Sequence, residues 1–297
     1  PKFATPADPA QQAIFDQGHA VGIEAQKQFP QGVLIDAEYF ETEKALQQTQ
    51  DAIDRGALSI YEAAFVHDNV LVRVDILHRK TKKAAWEILE VKSTSEAKEQ
   101  HIQDAAIQTW VLRGCGLDVQ RTSVMHLNSE YVFPDQGALF KQADVTDRIA
   151  TTLSAVPALL ASFREKLSQP KAPELDIGPH CSTPYACEFQ AHCWAARKVP
   201  ELSVFDIPSL ASKRKWEFYR DGVIELSDPR LEKETLNPTQ ARMIQVSKTG
   251  ERSVDAAGIQ AELKTWSYPL YFLDFETIGP AMPRYKGTRP FQQVPFQ

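Results

Sequence analysis

The stretch that decides the fold is VLVRVDILHRKTKKAAWEILEVK, residues 70–92, in which two apolar segments flank a polar, lysine-rich turn. Such segments predict two strands that pair as a hairpin and bring Asp75 beside Glu90. Because side chains alternate along a strand, Glu90 and Lys92 share one face. A carboxylate on an apolar strand lowers the stability of the fold unless a cation compensates its charge. Carboxylate oxygens suit Mg²⁺ or Mn²⁺. We therefore expect a divalent-metal site, with a cross-strand ion pair on a solvated sheet face as the alternative.

Asp75 followed by Glu90-x-Lys92 resembles the PD-(D/E)xK nuclease signature, and the flanking residues are similar to its RecB-like branch. The resemblance implies an α/β protein with a restriction-endonuclease-like core, a mixed central sheet flanked by helices. It also implies roles for His19, as an additional metal ligand on an early helix, and for Gln108, on the helix after the lysine strand. The family has a tyrosine four residues after this glutamine, where the chain has Leu112.

These residue types indicate phosphodiester hydrolysis, which needs an activated water and neutralised phosphoryl charge. Asp75, Glu90 and His19 would hold Mg or Mn. Lys92 would position or deprotonate the water or stabilise the transition state, and the metal charge should favour its neutral form. Gln108 would orient Lys92 or the water.

The family resemblance implies DNA as the partner, single-stranded by preference, and an exonuclease of repair, recombination or defence. Two alternatives are a non-catalytic DNA-binding or scaffold module that keeps the fold, and an RNA-processing nuclease.

Three of the four cysteines form a C-x5-C-x5-C array, namely Cys181, Cys187 and Cys193. So dense a group in a chain of 297 residues indicates metal binding rather than a disulfide framework. The array resembles the cysteine triplet of RecB-like iron–sulfur nucleases, including the CRISPR-associated and AddB types. That resemblance implies a [4Fe-4S] cluster.

The fourth ligand of such a cluster is expected upstream of Pro1, where the family supplies it, and Cys115 is the alternative. A cysteine at a helix end is more often a small buried apolar residue. A zinc site that combines the three cysteines with His180 or His192 is the rival interpretation, because Cys3His is an established structural zinc set.

The composition of the chain limits which partners it can bind. Its net charge of −6 argues against a broadly basic nucleic-acid binder, so a DNA path must be local. The candidate basic residues are Arg79, Lys80, Lys82 and Lys83 in the hairpin turn and the cluster Lys213, Arg214 and Lys215. No apolar stretch approaches the roughly twenty residues of a membrane span, and this N-terminus does not read as a signal peptide. We expect a cytoplasmic protein without membrane contact.

The chain is expected to have four parts. Residues 1–176 form the nuclease core, with helices at 9–29, 42–54 and 146–168 and strands at 58–66, 70–78, 84–92 and 119–128. Residues 177–200 form the cysteine lobe, and residues 201–265 form a helical connector whose segment 209–226 resembles one arm of a helix-hairpin-helix. Residues 266–297 read as the truncated start of a further domain.

That last part contains Asp274 and Glu276 at alternate positions of an apolar segment. The pair resembles the first motif of DnaQ-like exonucleases of the RNase H-like fold. It implies that a strand carries both carboxylates on one face.

Overall fold

The computed structural model describes residues 3–297, which divide into two compact units. Residues 7–173 and 274–297 form one unit, called here the sheet unit. Residues 3–6 and 174–273 belong to the other, called here the cysteine unit. Within residues 3–297, no helix combines the length and the apolar character that a membrane crossing requires.

The sheet unit is built on a six-stranded mixed sheet whose strands lie in sequence order. The β2–β3, β3–β4 and β5–β6 pairs are antiparallel, whereas β1–β2 and β4–β5 are parallel. The α/β class with a mixed, helix-flanked sheet is therefore confirmed. The strands are β1 Val33–Leu34, β2 Ser59–His67, β3 Val70–His78, β4 Trp86–Lys92, β5 Val119–Leu127 and β6 Phe140–Asp144. The short β1 and β6 were not expected from the sequence.

A two-residue turn sets the register of β2 and β3. Asp68 and Asn69 both have positive φ, 49° and 58°, as a type I′ hairpin turn requires. Asp and Asn tolerate this conformation better than most residues. The flanking residues His67 and Val70 pair directly, and this register runs back along both strands.

Helices cover both faces of the sheet, and alternate cross-strand rows meet different helices. The row that contains Ile76 packs with Val21 of the first helix, whereas the neighbouring row with Leu77 packs with the second and third helices. Side-chain alternation explains this division of the core. The helices are α1 Pro9–Gln26, α2 Thr42–Asp54, α3 Glu99–Gly114 and α4 Ala150–Leu167.

The C-terminal residues differ from the expected strand. Residues 271–276, with Asp274 and Glu276, form no strand, and the neighbouring side chains of Tyr271 and Phe272 are 88% and 90% exposed. β7 Thr277–Ile278 pairs with β8 Val294–Pro295, and the backbone contact extends only to Glu276. Alternation of apolar and acidic residues predicts a strand only where a partner strand exists, and within residues 3–297 no strand pairs with residues 271–275.

The cysteine unit is mainly helical, with a small core around Phe218, Leu226 and Ile244. Its helices are α5 Gln190–Ala196, α6 Ser212–Arg220, α7 Pro238–Thr249 and α8 Ala256–Leu263. α6, α7 and α8 all lie within residues 201–265, where a helical connector was expected.

The buried cross-strand row that contains Leu77 gives a prediction about stability. Leu77 of β3 is fully buried between Ile60 and Ile88, so Leu77→Ala should lower the free energy of unfolding by about 2–5 kcal/mol, through lost burial and an unfilled cavity. Leu71→Ala on the same strand is the control, because Leu71 is 43% exposed and should cost less than about 1 kcal/mol. Chemical denaturation of both variants measures the difference. Equal losses would contradict this account of the core.

Candidate active site

Three carboxylates lie in one row across three adjacent strands. Ile76 pairs with Leu89 and Leu77 with Ile88, so the same register puts Asp75 opposite Glu90. On the other side, the register of the β2–β3 hairpin puts Glu62 opposite Asp75. The expected convergence of Asp75 and Glu90 is therefore present, and Glu62 extends it to a third strand.

Glu90 is buried and both of its carboxylate oxygens have partners. The ammonium of Lys92 lies 2.8 Å from Oε1, and Gln108 of α3 donates from Nε2 to Oε2 over 2.7 Å. Glu90 is 5% exposed and Gln108 is 8% exposed. The two side chains fix the carboxylate from opposite ends, so three of the four residues expected to act in catalysis are in direct contact.

Asp75 carries the strongest electrostatic strain of the row. Its Oδ2 accepts a hydrogen bond of 2.6 Å from the backbone N–H of Val91. Desolvation and the nearby charge of Glu90 nevertheless hold the pKa of Asp75 well above its ordinary value. Asp75 is therefore short of compensating positive charge.

Glu62 is held in an unusual backbone conformation at the end of this row. Its φ is 57°, a region that a non-glycine residue inside a strand rarely occupies. Burial raises the pKa of the Glu62 carboxyl, while the charges of Arg73 and His19 partly offset the effect. His19 of α1 is exposed, and its charge acts on Glu62.

Lys92 is the cation of the site. Besides Glu90 it contacts Asp104 of α3, with 3.3 Å between Nζ and Oδ2. Desolvation lowers the pKa of Lys92, but the charge and hydrogen bond of Glu90 raise it more, so the pKa lies above its ordinary value. The charged form is therefore favoured in this arrangement, whereas the sequence analysis expected a neutral lysine beside a bound metal.

The side chains of the site have oxygens that suit a hard cation, although they do not converge on one point. In the part of the chain that the structure describes, no three His, Cys, Asp or Glu side chains stand at metal-binding distance from one centre. Yet burial and the charge of Glu90 outweigh the compensation that Lys92 gives Asp75, and the buried Oε1 of Gln108 accepts no hydrogen bond. Partly buried carboxylates with too little positive charge, together with a free amide oxygen, fit Mg²⁺ or Mn²⁺.

Sequence reasoning missed Glu62 and Asp104. Glu62 had a detectable signal, because it is an acid in the apolar strand SIYEAAFVH and the turn at Asp68 and Asn69 fixes what lies opposite it. Asp104 precedes Gln108 by one helical turn and faces the same site. Helical spacing from Gln108 would have indicated it.

The three cysteines of the array lie in one short segment of the cysteine unit, residues 181–193. The N–H of Cys187 donates to the carbonyl of Cys181 over 2.9 Å, and α5 then carries Cys193. Cys181 is buried and packs in one small cluster with Cys193 and Trp216, whereas Cys187 is exposed. These contacts bring the cysteine segments together. In the described residues, however, the three thiols do not have the arrangement that would bind a cluster.

The candidate fourth ligands lie in different surroundings. Cys115 belongs to the sheet unit, where its thiol donates to the carbonyl of Val66 over 3.3 Å. His180 and His192 lie in the cysteine unit, and both are exposed. The ring of Phe3 stacks on His192 at 4.4 Å, so the first described residues reach the cysteine loop.

Most residues of the second basic cluster have internal partners. Arg214 forms ion pairs with Glu217 and Glu234, and Lys215 donates to the carbonyl of Phe205. Lys213 has no such partner in residues 3–297.

The hairpin turn keeps its lysines free. Arg79 lies over the ring of Trp86, 4.1 Å from its centroid, and donates to backbone carbonyls. Lys80, Lys82 and Lys83 take part in no ion pair within residues 3–297 and remain candidate phosphate contacts.

Asp274 and Glu276 belong to no cluster of metal-binding side chains within residues 3–297. Asp274 and Glu276 are exposed, and the Asp274 carboxylate accepts only from the N–H of Phe275. The backbone of Glu276 pairs with residues 296 and 297.

Comparisons with known proteins leave the function open. Residues 271–297 match a family described as a domain of unknown function, DUF2779. No curated protein matches the sequence significantly. One solved structure, titled "Crystal structure of SSO0001", is 13% identical and covers 59% of this chain and 95% of its own, with a TM-score of 0.24. So low a TM-score does not establish a common fold.

The electrostatic strain at Asp75 gives a second prediction. Asp75→Asn removes the desolvated charge but keeps an oxygen that accepts from Val91. It should raise the free energy of unfolding at pH 7, because burial and the charge of Glu90 both disfavour the charged carboxylate of Asp75. Asp51→Asn on the exposed side of α2 is the control and should change stability by less than about 0.5 kcal/mol. A destabilised Asp75→Asn variant would contradict the strain.

Proposed function

We propose that this chain is a metal-dependent nuclease of the PD-(D/E)xK type that hydrolyses phosphodiester bonds in DNA. The observation that carries the proposal is the contact set of Glu90, which Lys92 and Gln108 hold beside Asp75. A solvated cross-strand ion pair does not account for it, because Glu90 is buried and a second carboxylate lies opposite.

The proposed metal ligands are Asp75 and Glu90, with His19 and Glu62 beside them. When bound, Mg²⁺ or Mn²⁺ would activate a water and neutralise charge on the phosphoryl oxygens. The excess negative charge of the row supports this ligand set, since a divalent cation would offset the desolvation at Asp75.

The remaining side chains orient the reacting groups. Gln108 keeps the Glu90 carboxylate in one orientation, and its free Oε1 points to a further acceptor role, toward a water or an ammonium. Asp104 and Glu90 hold the charged ammonium of Lys92 at the site. A charged Lys92 fits best as a donor that stabilises negative charge on the phosphoryl group.

Single-stranded DNA is the proposed substrate, and Lys80, Lys82 and Lys83 are proposed phosphate contacts at the end of the β3–β4 hairpin. A local basic segment in a chain of net charge −6 directs the anionic strand to one place. Labelled single-stranded DNA and RNA of the same sequence, tested with Mg²⁺ and Mn²⁺, separate this proposal from an RNA-processing activity.

We also propose that Cys181, Cys187 and Cys193 bind a [4Fe-4S] cluster that stabilises the cysteine unit. The support is local, since the carbonyl of Cys181 accepts from the N–H of Cys187 and Cys181 packs in a cluster with Cys193 of α5. A zinc site with His180 or His192 remains the competing proposal.

Lys92 provides the catalytic test. Lys92→Met keeps the length of the side chain but removes its charge, and it should slow Mn²⁺-supported cleavage by roughly 100-fold or more. Affinity for DNA, measured in EDTA, should change little. The control is Lys141→Met, because Lys141 lies on β6 and pairs only with Glu130.

Three outcomes of this assay decide between the alternatives. Equal loss of affinity and turnover would make Lys92 a phosphate anchor. Full activity of Lys92→Met would reject the proposed site. A wild-type chain that binds DNA but does not cut it would support the scaffold alternative.

Cysteine substitutions test which metal the cysteine unit binds. Cys187→Ser should remove iron, the brown colour and part of the thermal stability of anaerobically purified protein, because the cluster needs the thiolate. Cys115→Ser is the matched control and should keep all three, since Cys115 belongs to the sheet unit. Elemental analysis that finds zinc without iron in the wild type would reject the cluster and favour the Cys3His site.

A further inference from the structure

A cleft in the cysteine unit has no role in the sites described above. It lies along α7 and is closed by the segment that follows the left-handed Gly250, with a volume of about 730 Å³. Its floor is apolar and includes Met243 and Val246, next to the fully buried Leu226. The volume and the apolar floor suit a flat organic group rather than a lone inorganic ion.

Two arginines give the cleft its charge. Arg242 of α7 and Arg252 of the returning segment both line it, and neither forms an ion pair or a hydrogen bond within residues 3–297. By contrast, Arg214 and Arg230 in the same unit are tied to carboxylates. No Asp or Glu is among the described residues that line the cleft.

Hydroxyl groups complete a donor set. Thr239, Ser247 and Ser253 also line the cleft, and no hydrogen bond occupies their hydroxyls in the described chain. Thr239 precedes Arg242 by three residues on α7, so these two side chains lie on the same face of the helix. Guanidinium forks with nearby hydroxyls match the oxygens of a phosphodiester, and an apolar floor matches a base or sugar.

We propose that this cleft binds a nucleotide unit of a single-stranded nucleic acid, with Arg242 and Arg252 on its phosphates and the apolar floor against its base. The inference rests on the proposed nuclease function and names a strand-binding surface for it. It differs from the basic run at Lys213, Arg214 and Lys215, two members of which have internal partners.

Strand binding by the 297-residue chain is measured by fluorescence anisotropy with labelled dodecathymidylate in EDTA, at several salt concentrations. The double variant Arg242→Ala/Arg252→Ala should bind about tenfold more weakly or worse. Each phosphate contact on a single strand contributes about 0.7 to the slope of log affinity against log salt, so the slope should fall by about 1.4. Unchanged affinity and slope would overturn the inference.

Two further variants separate the cleft from general charge and from misfolding. Lys248→Ala removes a positive charge from the same helix, but Lys248 pairs with Glu232 and does not line the cleft, so affinity should hold. Ser247→Glu keeps both arginines but adds a carboxylate to the cleft. It should weaken binding of the oligonucleotide about as much as the loss of one arginine would. Normal binding by a folded Ser247→Glu variant would contradict the inference.

Hydrolysis of bis(p-nitrophenyl) phosphate with Mn²⁺ separates this inference from the nuclease proposal. The double arginine variant should retain wild-type hydrolysis of this small ester, because the ester needs no strand-binding surface. A wild type that binds the oligonucleotide through the arginines but hydrolyses neither substrate would reject the nuclease and keep the cleft. Polyglutamate that displaces the oligonucleotide as well as unlabelled dodecathymidylate does would make the ligand an acidic peptide and overturn the inference.

Discussion

The register of the β2–β3–β4 meander is the constraint on which the candidate site depends. The turn at Asp68 and Asn69 admits one pairing of β2 with β3, which puts Glu62 opposite Asp75. The β3–β4 pairing then adds Glu90 to the same row. A slip of one residue would move each carboxylate to the opposite face of the sheet, where α1 packs against Ile76 and Leu89. Local turn geometry therefore decides whether the site exists.

The row of carboxylates lowers the stability of the fold. Desolvation and mutual repulsion raise the pKa of Asp75, and Glu62 is held at positive φ in the interior of a strand. Lys92 and Gln108 occupy both carboxylate oxygens of Glu90, and Lys92 also pairs with Asp104. Unfavourable electrostatics and backbone strain that the surrounding sheet maintains are typical of functional sites, since a merely structural site would have exchanged these residues for apolar ones at a gain in stability.

Much of the sheet unit could be predicted from the sequence, because apolar periodicity fixes long elements well. α2 and β3 agree with their expected bounds, and the hairpin that joins Asp75 to Glu90 follows from the turn between two apolar segments. Residues whose position depends on pairing were harder. Glu62 requires the register, β1 has only two residues, and the segment with Asp274 has a strand-like pattern but no partner strand.

The two proposed metal sites depend on metal in opposite ways. Without a cation, the carboxylate row is an electrostatic cost that the large core of the sheet unit can bear. The loop of Cys181 and Cys187 has only a small cluster around Ile177 and Trp216 to hold it, and most of its residues are exposed. A loop with so little apolar burial gains order from covalent ligation. In the proposed function, metal at the carboxylates would serve chemistry, whereas metal at the cysteines would serve the fold.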